Sequence, residues 1–205
     1  MTAPVQILLV LAAQAAAPPP PDYFPADFAT PSVRCPYRST PQPILTEFQN
    51  QWYARHLQAA GEPSLSRAAR DGRSAVRETL RFTWLPSFDH PVIIRIETAR
   101  GRSRLIVREL AGAGGYSPGE IARRVERALT ADEDRALSAL LTRTQLFAGP
   151  PRDCRMGLDG AQWLFEGVNA GGYHFLDRWS PEDGPAREVG TFLLGLTGWV
   201  FRAMY

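Results

Sequence analysis

Residues 157–181 constrain the fold more than any other stretch, because they read as a complete β-hairpin with its punctuation in place. Two aromatic-rich runs, 161–167 and 172–179, flank the turn signal Asn169-Ala170-Gly171-Gly172, while Asp159-Gly160 and Ser180-Pro181 mark the outer ends. If Gly167 opposes Gly172, then Trp163, Phe165, His174 and Leu176 share one face. Gln162, Leu164, Glu166, Tyr173, Phe175 and Asp177 share the other. Both faces carry aromatics, so a helix layer on each side would account for the pattern, and which face meets water stays open.

The rest of the chain supplies partners for such a hairpin. Thr46 and Gln49 have capping-box spacing, Gly61 and Pro63 supply a stop, and Leu45, Phe48, Trp52, His56 and Ala59 form a helical stripe between them. His56 on that stripe reads as a structural histidine. Three strand-like runs follow at 75–85, 92–98 and 104–110; in the second, Val92, Ile94 and Ile96 alternate with Ile93, Arg95 and Glu97. Ile121, Val125 and Leu129 fit either a helix or a strand. Thr130 with Glu133 starts a new helix at Ala131, which favours a strand before it. Leu137, Leu140, Leu141, Thr144 and Phe147 give that helix its buried stripe. The run 186–205 reads as a last helix covering the sheet, with Gly190, Gly195 and Gly198 allowing close approach.

The first 15 residues resemble a secretory leader, with an apolar stretch at 7–13 and the small-x-small site Ala13-Gln14-Ala15. The leader carries no Lys or Arg, and a disordered Ala-rich start is the competing reading. Residues 16–43 are dense in proline and read as an extended tether, although Tyr23, Phe24, Phe28 and Tyr37 call for something to pack on. Cys35 and Cys154 are the only cysteines, a pair that an oxidising compartment would join and that otherwise stay free thiols. The folded part is then 44–205, a single α+β domain with an antiparallel sheet of about five or six strands and about three helices.

Composition removes several chemistries. All 23 basic residues are arginine, so Schiff-base catalysis, a lysine base and the phosphate-binding lysine of a P-loop are excluded. A net charge of +2, with only Arg123, Arg124 and Arg127 tightly grouped, argues against nucleic acid as a partner. The apolar run 189–201 is too short to span a membrane. The Gly112-Ala113-Gly114-Gly115-Tyr116 loop has Ser117 where a dinucleotide fingerprint needs glycine, and reads as a turn. His56, His90 and His174 lack ligand partners at metal spacing, so no metal and no cofactor is expected. A triad of His174, Asp177 and Ser180 fails on strand parity, because His174 and Asp177 point to opposite faces.

The remaining candidates for ligand binding are Trp163, Glu166, Tyr173, His174, Asp177, Arg178 and Trp179. Glu166 and Asp177 could form a carboxylate pair for acid–base work, or each could be answered by an arginine. Trp163, Tyr173 and Trp179 could form an exposed aromatic patch, although core packing is the more common fate of such residues.

The pattern Gly157-Leu158-Asp159-Gly160-Ala161-Gln162-Trp163, Glu166-Gly167, Tyr173-His174 and Asp177-Arg178-Trp179-Ser180-Pro181 resembles that of a group of uncharacterised exported bacterial proteins. The resemblance extends to Trp52 and residues 118–147. It implies an exported α+β domain and brings no catalytic residue with it. The expected function is a periplasmic or secreted, non-enzymatic binding or interaction module for a protein or small-molecule partner. The alternative is a small hydrolase or lyase using Glu166, His174 or Asp177 in a cleft around the hairpin.

Overall fold

The computed structural model describes residues 22–72, 78–155 and 157–205; the leader, the start of the proline-rich segment and residues 75–77 of the first expected strand lie outside these. A 3-10 turn at Ala26–Ala29 leads into a small ribbon of β1 (Pro31–Val33) and β2 (Gln42–Pro43). Then come α1 (Glu47–Ala59), a short α2 (Leu65–Arg70), β3 (Glu78–Pro86), β4 (Val92–Ala99), β5 (Arg102–Leu110) and β6 (Ile121–Ala128). The chain finishes with α3 (Ala131–Thr144), the hairpin β7 (Ala161–Asn169) and β8 (Gly172–Trp179), and α4 (Gly184–Leu196). The fold is α+β, as its pattern implies, with one helix more than the count expected from sequence.

Six strands form one antiparallel sheet in the order β6-β5-β4-β3-β7-β8. The strands β3 to β6 make a meander, and the hairpin joins it by pairing β7 with β3. Both capping boxes form: Thr46 accepts from Gln49 N–H and Thr130 from Glu133 N–H, with the Gln and Glu side chains reaching back. The ambiguous segment before α3 is a strand. Its arginines lie on the exposed edge of the sheet, where Glu126 bridges Arg104 and Arg108, and charged edges resist strand-to-strand aggregation.

Each face of the sheet is covered. On one, Phe82, Trp84, Ile94, Val107, Trp163, Phe165 and Leu176 pack beneath α3 and α4. On the other, Ile93, Leu164 and Phe175 pack beneath α1 and residues 23–45. The proline-rich segment is therefore a folded strap from residue 22 onward. Tyr23, Phe24 and Phe28 are buried, and Phe24 and Phe28 both meet the ring of Phe175, at 5.8 and 5.1 Å. Each such burial is worth about 1.5–3 kcal/mol, which offsets the entropy of ordering a proline-stiffened segment. Cys35 and Cys154 are disulfide-bonded, tying the strap to the loop before the hairpin.

Two expectations are corrected. The last helix ends at Leu196: the Thr197 hydroxyl turns back onto Leu194 O, and Gly198 takes φ +71, which only glycine adopts easily. The tail then returns across the sheet end, where Phe201 meets Trp84 edge-on and Tyr205 Oη donates to Asp89. Of the three glycines, only Gly190 serves close packing; a Cβ there would stand 2.2 Å from the Trp163 ring. The hairpin register is also two residues from the expected one. Gly167 opposes His174 and Asn169 opposes Gly172, because pairing continues to a two-residue turn braced by Asn169 Oδ1 on Gly171 N–H. A shift of two preserves parity, so the division into faces stands.

Candidate functional site

The hairpin candidates are divided between two closed faces. Glu166, Tyr173, Asp177 and Trp179 lie under the strap and α1, whereas Trp163, His174 and Arg178 lie on the side of α3 and α4. No cleft gathers Glu166, His174 and Asp177.

Glu166 is answered by an arginine in the core. Arg81 projects from the middle of β3, fully buried, and donates through Nε and Nη2 to Glu166 Oε2 at 2.8 and 2.6 Å. Its Nη1 donates to Pro63 O at 2.6 Å and lies 3.5 Å from Glu62 Oε2. Arg95 donates to the same Glu62 oxygen at 2.8 Å, and Tyr173 Oη donates to Glu166 Oε1 at 2.9 Å. Burial alone would lower the pKa of Arg81, but the Glu166 and Glu62 carboxylates reverse this and raise it. Burial pushes Tyr173 well above the ordinary tyrosine value, and the Glu166 charge adds to it. This network is internally satisfied and has no unclaimed acid or base.

Asp177 is different. It is buried without a cation in contact, accepting hydrogen bonds from Gln162 and from Tyr53 Oη, the latter at 3.3 Å. Burial raises its carboxyl to about 7, opposed by the Gln162 hydrogen bond and by the charge of Arg152. Folding then binds a proton between the ordinary carboxylate range and about pH 7, so stability falls as pH rises through that window. The expected loss is roughly 4 kcal/mol, at 1.36 kcal/mol per pKa unit. Asp177→Asn, neutral at every pH, removes this slope: wild type and variant match near pH 4, and the variant is more stable at pH 8. Urea titrations across that range check it, and parallel pH profiles would refute the assignment.

Of the two readings of the aromatics, packing rather than an exposed patch is what Trp163 adopts. Trp163 is fully buried, donates from Nε1 to Tyr205 O at 2.9 Å, and faces away from Tyr173 and Trp179. Trp179 lies against Gly157 and Gly160: a Cβ on Gly157 would stand 2.3 Å from its ring, and one on Gly160 would stand 2.8 Å from the ring and 2.4 Å from the Ser180 hydroxyl. Ser180 closes this corner: its Oγ accepts from Ala161 N–H and its N–H donates to Ala161 O. The Gly-Leu-Asp-Gly and Trp-Ser-Pro elements of the signature thus support one another. Arg178 donates to Pro150 O at 2.8 Å and lines a hollow of about 400 Å³ with Asp153, Arg155 and Glu182.

His174 alone reaches an opening of consequence. A groove of about 1000 Å³ runs between α3 and the end of the sheet where β7 turns into β8. Leu80, Ile96, Leu137, Leu141 and Phe147 give it an apolar interior; Thr98, Ser103, Ser138, Asn169 and His174 stand around it, with Glu78, Asp134 and Arg135 also on its rim. Gly167 makes room for Phe147, whose ring stacks on His174 at 5.4 Å. His174 Nε2 lies 3.1 Å from Asn169 Oδ1, an oxygen already accepting from Gly171 N–H, so the ring donates there.

Sequence reasoning missed Arg81, Glu62 and Tyr53. Arg81 carried a readable signal, a lone charge inside an apolar strand, because a buried charge requires a partner. Among the described residues, no three His, Cys, Asp or Glu side chains are grouped to hold a metal ion, and no helix is long and apolar enough to cross a membrane. No protein-family model and no curated protein matches the chain.

Proposed function

We propose that the protein is an exported, non-enzymatic binding module that holds a small uncharged amphiphile in the groove beside α3. The observation that carries this reading is the contrast between two sets of groups. The carboxylates of the hairpin are consumed by Arg81, Tyr173, Tyr53 and Gln162 inside the fold, while the groove offers an apolar interior whose rim is mostly neutral donors and acceptors, with His174 and the charged Glu78, Asp134 and Arg135 among them. Its volume suits a ligand of drug-like size. The Cys35–Cys154 bridge and the leader-like start support a periplasmic or secreted location, and the resemblance to exported bacterial proteins points the same way.

N-phenyl-1-naphthylamine, a neutral apolar fluorophore, tests the groove. It binds the wild type with a fluorescence rise, and Ser138→Trp, which fills the groove from the exposed side of α3, weakens binding at least tenfold, by roughly 1.4 kcal/mol or more. Equal binding by the variant would sink the groove assignment. Ester or glycoside turnover abolished by Glu166→Gln in a folded protein would instead establish the hydrolase alternative.

A further inference from the structure

The opposite end of the sheet presents a second surface, built by the glycine-rich loop that no phosphate explains. Gly114 N–H donates to Asp89 O and Gly115 N–H to Ser87 O, so residues 111–120 lie directly on the β3–β4 turn. A Cβ on Gly114 or Gly115 would meet that turn's backbone at 2.5 to 2.8 Å. Trp52 Nε1 donates to Gly114 O at 2.7 Å, fixing the start of α1 to the same loop, and Ser87 N–H donates to Gly160 O, fixing the loop before β7. Four segments are thereby locked together at one end of the sheet.

From these braced segments large apolar side chains stand out into solvent: Phe48 is 67% exposed, Phe88 61%, Tyr116 64% and Leu158 95%. Phe88 and Tyr116 lie 6.2 Å apart, and Phe48 lies 6.0 Å from the half-buried Trp52. An apolar, aromatic surface held by a rigid scaffold marks an interaction site. The surrounding charge is one-sided. Segments 46–52, 86–91, 111–120 and 157–160 contain Glu47, Asp89, Glu120 and Asp159 and no arginine; the tail that crosses this end brings Arg202, and Arg155 near its rim is paired with Glu182, so carboxylates stay in excess there in a chain with 23 basic and 21 acidic residues. That excess of carboxylates opposes an anionic lipid surface or a nucleic acid and complements a cation.

We propose that this end is a docking surface for a protein segment that presents apolar side chains flanked by arginine or lysine. The aromatics supply the central contacts and the carboxylates steer and orient the partner. It is independent of the groove, which lies at the other end of the strands.

A fluorescein-labelled amphipathic helical peptide of leucine and lysine is the probe, read by anisotropy against the full chain. The peptide binds, and replacing its leucines with serine weakens binding at least about tenfold. Phe88→Ser with Tyr116→Ser produces a similar loss, and Glu47→Gln with Asp89→Asn and Asp159→Asn flattens the salt dependence. Leu158→Ser repeats the test without disturbing a ring pair, and unchanged thermal unfolding shows that each variant is folded. Peptide binding that ignores these substitutions overturns the proposal. So does flotation of the wild type, but not of Phe88→Ser/Tyr116→Ser, with phosphatidylcholine vesicles, which makes the end a lipid contact. Sedimentation showing a dimer that the same double variant abolishes overturns it in favour of self-association.

Discussion

Arg81→Met lowers the stability of the folded protein by about 3–5 kcal/mol, the range found when one partner of a buried ion pair is removed. Methionine fills much of the same space, so lost packing is a minor part of the effect. The larger part is electrostatic: Glu166 and Glu62, both nearly inaccessible to water, are left without the guanidinium between them. Tyr173 still donates to Glu166 and Arg95 to Glu62, which keeps the loss from growing larger. Replacing both Arg81 and Glu166 with apolar residues costs less than the sum of the single changes, since neither is then left facing the other's vacancy and Glu62 keeps Arg95. Chemical denaturation of the four proteins measures both effects. A loss below about 1 kcal/mol for Arg81→Met would mean that water reaches the network and that this face of the sheet is open.

Removing the disulfide has a comparable effect through a different route. Cys35 and Cys154 are 119 residues apart, and closing a loop of that size lowers the entropy of the unfolded chain enough to stabilise the fold by about 4–5 kcal/mol. Cys35→Ser with Cys154→Ser should lower the denaturation midpoint accordingly. The structural response is uneven. Tyr23, Phe24, Phe28 and Leu45 remain buried and anchor both ends of the strap, whereas β1, β2 and their connection have exposed or half-buried side chains. Hydrogen exchange therefore accelerates most across residues 31–43, with the β3–β7 amides protected longest. An unchanged midpoint, or exchange spread evenly over the sheet, would count against this account.

What could be read from the sequence was local. Thr46 with Gln49 and Thr130 with Glu133 each place a helix start within one residue, because a cap is decided by atoms three residues apart. Alternation located the strands, and parity assigned the hairpin's faces although its register was two residues out. What stayed hidden was long-range. Arg81 and Glu166 are 85 residues apart, and only the pairing of β3 with β7 places them opposite one another. The groove arises from the distance between α3 and the strand ends, which no single segment encodes. The proline-rich strap was legible in part: Tyr23, Phe24 and Phe28 asked for a surface, but Tyr37, in the same set, is exposed, and nothing local pointed to Phe175 as the partner.

The sheet order also sets a timetable. Strands β3 to β6 are consecutive neighbours and can assemble as they are synthesised, but β3 has an open, apolar edge until the hairpin arrives from much later in the chain. The strap waits as long, since Phe24 and Phe28 have no Phe175 to rest on until then. The earliest described residues to be made are thus among the last to be secured, and their cysteine waits for Cys154, made just before the hairpin. Anything that binds the emerging chain before that moment has to protect the β3 edge and the unplaced strap together.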